Sequence, residues 1–177
     1  TNNGVSWTQK KTVLNAADPV IEFDNQGNIL FSYLLRTEDE IYIIKSTDLG
    51  TSWTVPYNVS NAGSDTADKE WLAIDRYTNY IYLTWKELGT SSSIKFSRST
   101  DGGNSFPVRF NLASVASGML SPFIMTGNDG LVYITYVVVH NFNQSNETFD
   151  LKFAKSTDYG LNFTITDIDA NLTPPGY

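Results

Sequence analysis

One octapeptide recurs along the chain and sets the terms for everything else. It reads STDLGTSW at 46–53, STDGGNSF at 99–106 and STDYGLNF at 156–163. A weaker copy, NNGVSW, ends at Trp7, with Asn2 standing where the others have Asp. The common pattern is Ser-x-Asp-x-Gly-x-x-(Trp/Phe). Spacings of 46, 53 and 57 residues separate Trp7, Trp53, Phe106 and Phe163. A period near 50 residues is the mark of a repeated supersecondary unit that stacks on its neighbours, because one such unit cannot bury its own faces.

Each period carries the same short runs. In the first, Val20–Phe23, Ile29–Leu35 and Ile41–Lys45 are rich in β-branched and aromatic residues, and Asp24-Asn-Gln-Gly-Asn28 is turn chemistry. A fourth run is expected at 53–57, after the octapeptide. The second period repeats this at 71–75, 81–86, 94–98 and 106–110, and the third at 123–125, 132–138, 151–155 and 163–167. No amphipathic helix pattern interrupts them. Four short antiparallel strands per period describe a propeller blade. The expected fold class is therefore all-β: a partial β-propeller in one segment, 1–177. It has three four-stranded blades at about 14–57, 65–110 and 120–167, and residues 1–13 give the last strand of a preceding blade.

The octapeptide always falls between third and fourth strands, so it reads as a hairpin turn. Ser46, Asp48, Gly50 and Trp53 form the first full set. Ser99, Asp101, Gly103 and Phe106 form the second, and Ser156, Asp158, Gly160 and Phe163 the third. The carboxylates accept turn N–H groups, the glycines take positive φ and the aromatics bury in the sheet. Repetition in every blade argues for structure rather than catalysis. One carboxylate per turn falls short of the several oxygens that calcium takes, so no metal is assigned.

Charge and composition narrow the function classes. The formal net charge of -7 disfavours a phosphate backbone as partner, so no nucleic acid is expected. The longest apolar run, Leu131–Val139, is strand length and far short of the ~20 residues of a membrane-spanning helix. The absence of cysteine removes disulfides and thiol chemistry. His140 is the one histidine, which excludes a His-based zinc site. No cofactor signature is present.

The pattern Ser-x-Asp-x-Gly-x-x-Trp/Phe resembles the Asp-box, or BNR repeat, of the sialidase-like β-propellers, and the resemblance covers essentially the whole chain. It implies a ligand site on the face opposite the Asp-box turns. For a sialidase it also implies an arginine triad, a Tyr–Glu pair, an acid/base Asp and an Arg-Ile-Pro segment. This chain has no Arg-Ile-Pro and four arginines, Arg36, Arg76, Arg98 and Arg109, of which Arg36 alone falls in a ligand-face loop. No catalytic residue is carried over.

Between-blade loops expected at 14–19, 58–70 and 111–122 and within-blade loops at 36–40, 87–93 and 140–150 make up that face. Its candidates are Arg36, Asp68, Lys69, Glu70 and Trp71, within a wider set of Asp18, Glu38, Asp65, Lys86, Glu87 and His140. Five Asn-x-Ser/Thr sequons, at Asn58, Asn143, Asn146, Asn162 and Asn171, fit an exported glycoprotein.

Three blades cannot close a ring, since propellers take about four to eight. The expected partners are the remaining blades of a longer chain, or further copies of this one. The functional expectation is an exported or cell-surface module, non-catalytic in itself, that scaffolds binding of carbohydrate or a glycoprotein. The alternatives are part of a sialidase-like glycoside hydrolase whose catalytic residues lie partly outside this chain, and a structural extracellular subunit.

Overall fold

A computed structural model describes residues 3–115 and 118–173, and the backbone alone at Leu120. Twelve strands form three four-stranded antiparallel sheets, each a simple meander in chain order. The first blade holds β1 (Ala16–Phe23), β2 (Ile29–Leu35), β3 (Glu40–Ser46) and β4 (Tyr57–Asn58). The second holds β5 (Thr66–Ile74), β6 (Ile81–Leu88), β7 (Ser92–Ser99) and β8 (Val108–Val115). The third holds β9 (Gly118–Thr126), β10 (Val132–His140), β11 (Thr148–Ser156) and β12 (Thr164–Leu172). The described residues contain no helix.

Strand alternation places one face of each blade against the next. Leu30, Leu34, Ile41 and Ile43 of the first blade pack on Leu72, Ile74, Ile81, Leu83 and Trp85 of the second. Tyr82, Ile94 and Phe96 of the second pack on Ile124, Val132, Ile134 and Tyr136 of the third. Both interfaces are dry aliphatic and aromatic cores of the kind that dominates folding energetics.

The octapeptides are the latches of this stacking. Asp48 accepts hydrogen bonds from the Ser52 N–H at 2.8 Å, the Ser52 hydroxyl at 2.6 Å and the Ser46 hydroxyl at 2.9 Å. The Ser46 oxygen in turn accepts the Gly50 N–H at 2.8 Å. Asp101 and Asp158 repeat the network with Ser99 and Ser105, and with Ser156 and Asn162. These bonds, first those from the residue four places on, hold the Asp48 and Asp158 carboxyls down at about 2. The aromatic ends then reach into the preceding blade rather than into their own sheet. Phe106 joins the core between first and second blades. Phe163 meets Phe96 at 5.0 Å between ring centroids. Among the described residues no blade precedes Trp53, which is half-buried against Phe31 of its own blade. Asn2 of the weaker copy lies outside the described residues.

Several boundaries differ from the sequence reading. Residues 53–56 form no strand; the Thr54 hydroxyl accepts the Lys45 N–H at 2.9 Å in place of a backbone carbonyl, Pro56 has no N–H to give, and pairing begins at Tyr57. The other fourth strands start after the aromatic and run to Val115 and Leu172. The loop expected at 111–122 is strand almost throughout, and that at 58–70 ends at Thr66. Residues 7–13 form no strand, because a strand is defined by pairing and no described strand pairs with them.

Candidate functional site

The three innermost strands, β1, β5 and β9, share one irregularity. Pairing with the second strand slips between Ala17 and Val20 in β1, between Asp68 and Trp71 in β5, and between Leu120 and Phe123 in β9. At the slip stands a residue with positive φ: Asp18 at 47°, Lys69 at 55° and Ser121 at 27°. The next residue is Pro19, Glu70 or Pro122. A bulge leaves residues unpaired and re-aims their side chains, and proline is tolerated there since no ladder bond is lost. Three bulges at one level bring Asp18, Pro19, Val20, Lys69, Glu70, Trp71, Ser121 and Pro122 around a cleft of ≈ 240 Å³.

Its electrostatics are set by three groups. Lys69 Nζ lies 3.0 Å from Asp18 Oδ2, an ion pair that joins the first blade to the second at the cleft wall. Glu70 is only 2% exposed, and neither of its carboxyl oxygens has a hydrogen-bond partner. Burial pushes this carboxyl up to about 8; its own backbone N–H pulls the other way, while the charges of Asp18 and Asp68 add to the rise. Glu70 is therefore an uncharged acid at neutral pH. Beside it, Trp71 lies 4.8 Å from Phe123 between ring centroids, and both rings remain substantially open, at 39% and 42% exposure. Trp71 lines the cleft, and Phe123 braces it from the neighbouring hollow on the third blade.

Of the residues singled out in the sequence, Lys69, Glu70 and Trp71 are brought together here, on a bulged strand rather than in a loop. Asp68 sits one step earlier on β5, opposite Lys86, and does not line the cleft. Arg36 is exposed in the β2–β3 turn and does not line it either. The other arginines are engaged elsewhere: Arg76 with Glu22 at 3.9 Å, Arg98 with the Tyr159 carbonyl at 2.8 Å, and Arg109 with Glu87 at 3.7 Å. Glu87 is buried and also holds Lys95 at 2.6 Å, so it braces the second blade. His140 pairs with Asp150 at 2.9 Å on the third blade, away from the cleft. Ser121, Pro122 and Phe123 were not marked as site residues by the sequence. The available signal was the dipeptide Asp18-Pro19, matched by Ser121-Pro122 at the same offset in the inner strand.

The sequons divide by geometry. Asn58 is held by Asn61 and Ser60, and Ser60 is fully buried. Asn162 donates its side-chain amide to Asp158 at 2.8 Å. Asn143 and Asn146 stand exposed in the 141–147 loop, and Asn171 is exposed on β12.

No family model matches the sequence, and no curated protein matches it. Solved structures do. A Hadza microbial sialidase, Hz136, superposes with a TM-score of 0.68 at 15% identity, over 89% of this chain and 38% of that one. The α-L-arabinanase of Penicillium chrysogenum, solved with arabinobiose, gives 0.61 at 12% identity, over 85% and 49%. The chain has a β-propeller fold. A leech intramolecular trans-sialidase adds a third match, with a TM-score of 0.56 at 18% identity, over 87% and 24%. The chain thus spans less than half the length of each of these three propellers, and its three sheets form an open arc rather than a ring.

Proposed function

We propose that this chain is an exported or cell-surface propeller module that binds carbohydrate in the cleft between its innermost strands. One observation carries the reading: Trp71, braced by Phe123, stands partly open beside a buried, unpartnered Glu70 and the Asp18–Lys69 pair. Ligand sites combine apolar walls with a few convergent polar groups, which describes this cleft. The folds it resembles include a sialidase and an arabinanase solved with its sugar, which supports a saccharide over other small molecules. Exposed sequons at Asn143 and Asn146 fit a secreted chain. The arc completes its ring with further blades of the same chain or with a second copy.

A second reading is glycoside hydrolysis, and Glu70 favours it. A carboxyl kept protonated at neutral pH is the state a general acid needs, and Asp18, paired with Lys69, brings a second carboxyl group to the same cleft. Binding is the primary reading because the remaining catalytic parts are not assigned within these residues.

The test is a glycan panel. Trp71→Ala, made at a partly exposed position, is expected to leave folding intact and to weaken saccharide binding about tenfold. Absence of binding to any glycan would overturn the module reading. Release of reducing ends that disappears in Glu70→Gln would favour the enzyme.

A further inference from the structure

We propose, building on the reading of this cleft as a saccharide site, that its ligand is an uncharged sugar, laid against Trp71 and donating a hydroxyl hydrogen bond to the Asp18 carboxylate. The charges present decide this. Lys69 is the sole cation lining the cleft, and Asp18 already neutralises it at 3.0 Å. Asp68 stands next in the chain and adds negative charge nearby. None of Arg36, Arg76, Arg98 and Arg109 lines the cleft, and three of the four are committed to Glu22, to the Tyr159 carbonyl and to Glu87. A sialic or uronic acid would bring its carboxylate toward Asp18 and Asp68, and among the described residues no guanidinium lines the cleft to receive it. Bidentate arginine is the usual receiver of a carboxylate, and like charges in a cleft cost binding.

The groups that remain suit a neutral ring. Trp71 offers an apolar face, braced by the Phe123 ring at 4.8 Å. Both oxygens of Glu70 are buried, so this carboxyl presents no exposed charge to the ligand. The Asp18 carboxylate is left to accept from a sugar hydroxyl.

Calorimetric titration of the native protein from its source, with neutral arabino- and galacto-oligosaccharides against sialyllactose and a glucuronate oligosaccharide, tests this. The neutral sugars are expected to bind at least tenfold more tightly than the acidic ones, with affinity constant between low and high salt. Trp71→Ala weakens the neutral ligands about tenfold, and Arg36→Ala, exposed and outside the cleft, leaves them within about twofold. Tighter binding of the acidic sugars, weakened by salt and by Lys69→Ala, would overturn the uncharged ligand and leave the saccharide site standing. Failure of both classes to bind would overturn the saccharide site itself, and this inference with it.

Discussion

Glu70 is the residue whose environment costs the most. A carboxyl with both oxygens buried and unpaired is tolerated only when neutral, and here burial moves its proton affinity from 4.5 to about 8. The sign of the linkage follows. The unfolded chain releases this proton near 4.5, whereas the folded chain keeps it until about 8. Between those values the folded state binds more protons, so this site lowers stability as pH rises and stops doing so above about 8. Glu70→Gln removes the titration. Urea melts of parent and variant are therefore expected to diverge by about 1.4 kcal/mol per pH unit across that window, with the variant gaining as pH rises. Parallel melts at all pH values would show that Glu70 is ionised and solvated. The sequence marked Glu70 as a candidate through its place ahead of Trp71. It could not give the burial, which exists only once the blades are packed together.

At the scale of elements, the blades are joined by turns that enter the neighbour. Gly160 has φ +78°, and a Cβ there would meet the Phe96 ring of the second blade at 2.5 Å. Gly27, in the first hairpin, has nearly the same φ, +79°, and nothing within 4 Å. The pair separates backbone strain from packing. Gly27→Ala is expected to cost about 1 kcal/mol, from the left-handed backbone alone. Gly160→Ala carries that cost and displaces Phe96 as well, for a total of about 2–4 kcal/mol. Thermal melts of the two variants measure the difference, and equal losses would mean that the octapeptide turn does not grip the preceding blade.

The octapeptide itself was readable because its chemistry is local. Ser156, Asp158 and Gly160 bond within five residues of chain. The bulges were not readable in this way. A bulge exists only relative to a partner strand, so Asp18, Lys69 and Ser121 look like ordinary strand or loop residues until β2, β6 and β10 are set beside them. The same limit explains the fourth strands. Their starts are decided by Thr54, Pro56 and the inward turn of Phe106 and Phe163, and not by β propensity.

At the scale of the whole arc, the described residues present two unlike open faces. On the first blade, Ile21 and Phe23 stand exposed beside Phe31, whose ring leads on to Tyr33 and then Tyr42. On the third, Phe123, Met125, Tyr133, Thr135 and Phe153 line an apolar hollow, with Tyr133 and Phe153 stacked at 5.7 Å. In the interior of the arc the equivalent strand faces are buried by a neighbouring blade, which is what both open faces lack. An apolar sheet face of this kind left to water favours association. The two faces belong to opposite ends of one arc, so a contact that covers one presents the other in the same sense, and it gives a ring where the rotation closes. Light scattering on the native particle is accordingly expected to give at least about twice 19.7 kDa. The intact mass of the native chain then assigns the source of the added blades. A chain that is itself this heavy supplies them from its own sequence, and a chain of 19.7 kDa supplies them from a second copy. In the second case Phe153→Lys, placed in the hollow of the third blade, splits the particle to the mass of one chain. A native particle of 19.7 kDa with these faces intact would show that the three-blade arc stands alone, and the ring-completed molecule would have to be abandoned.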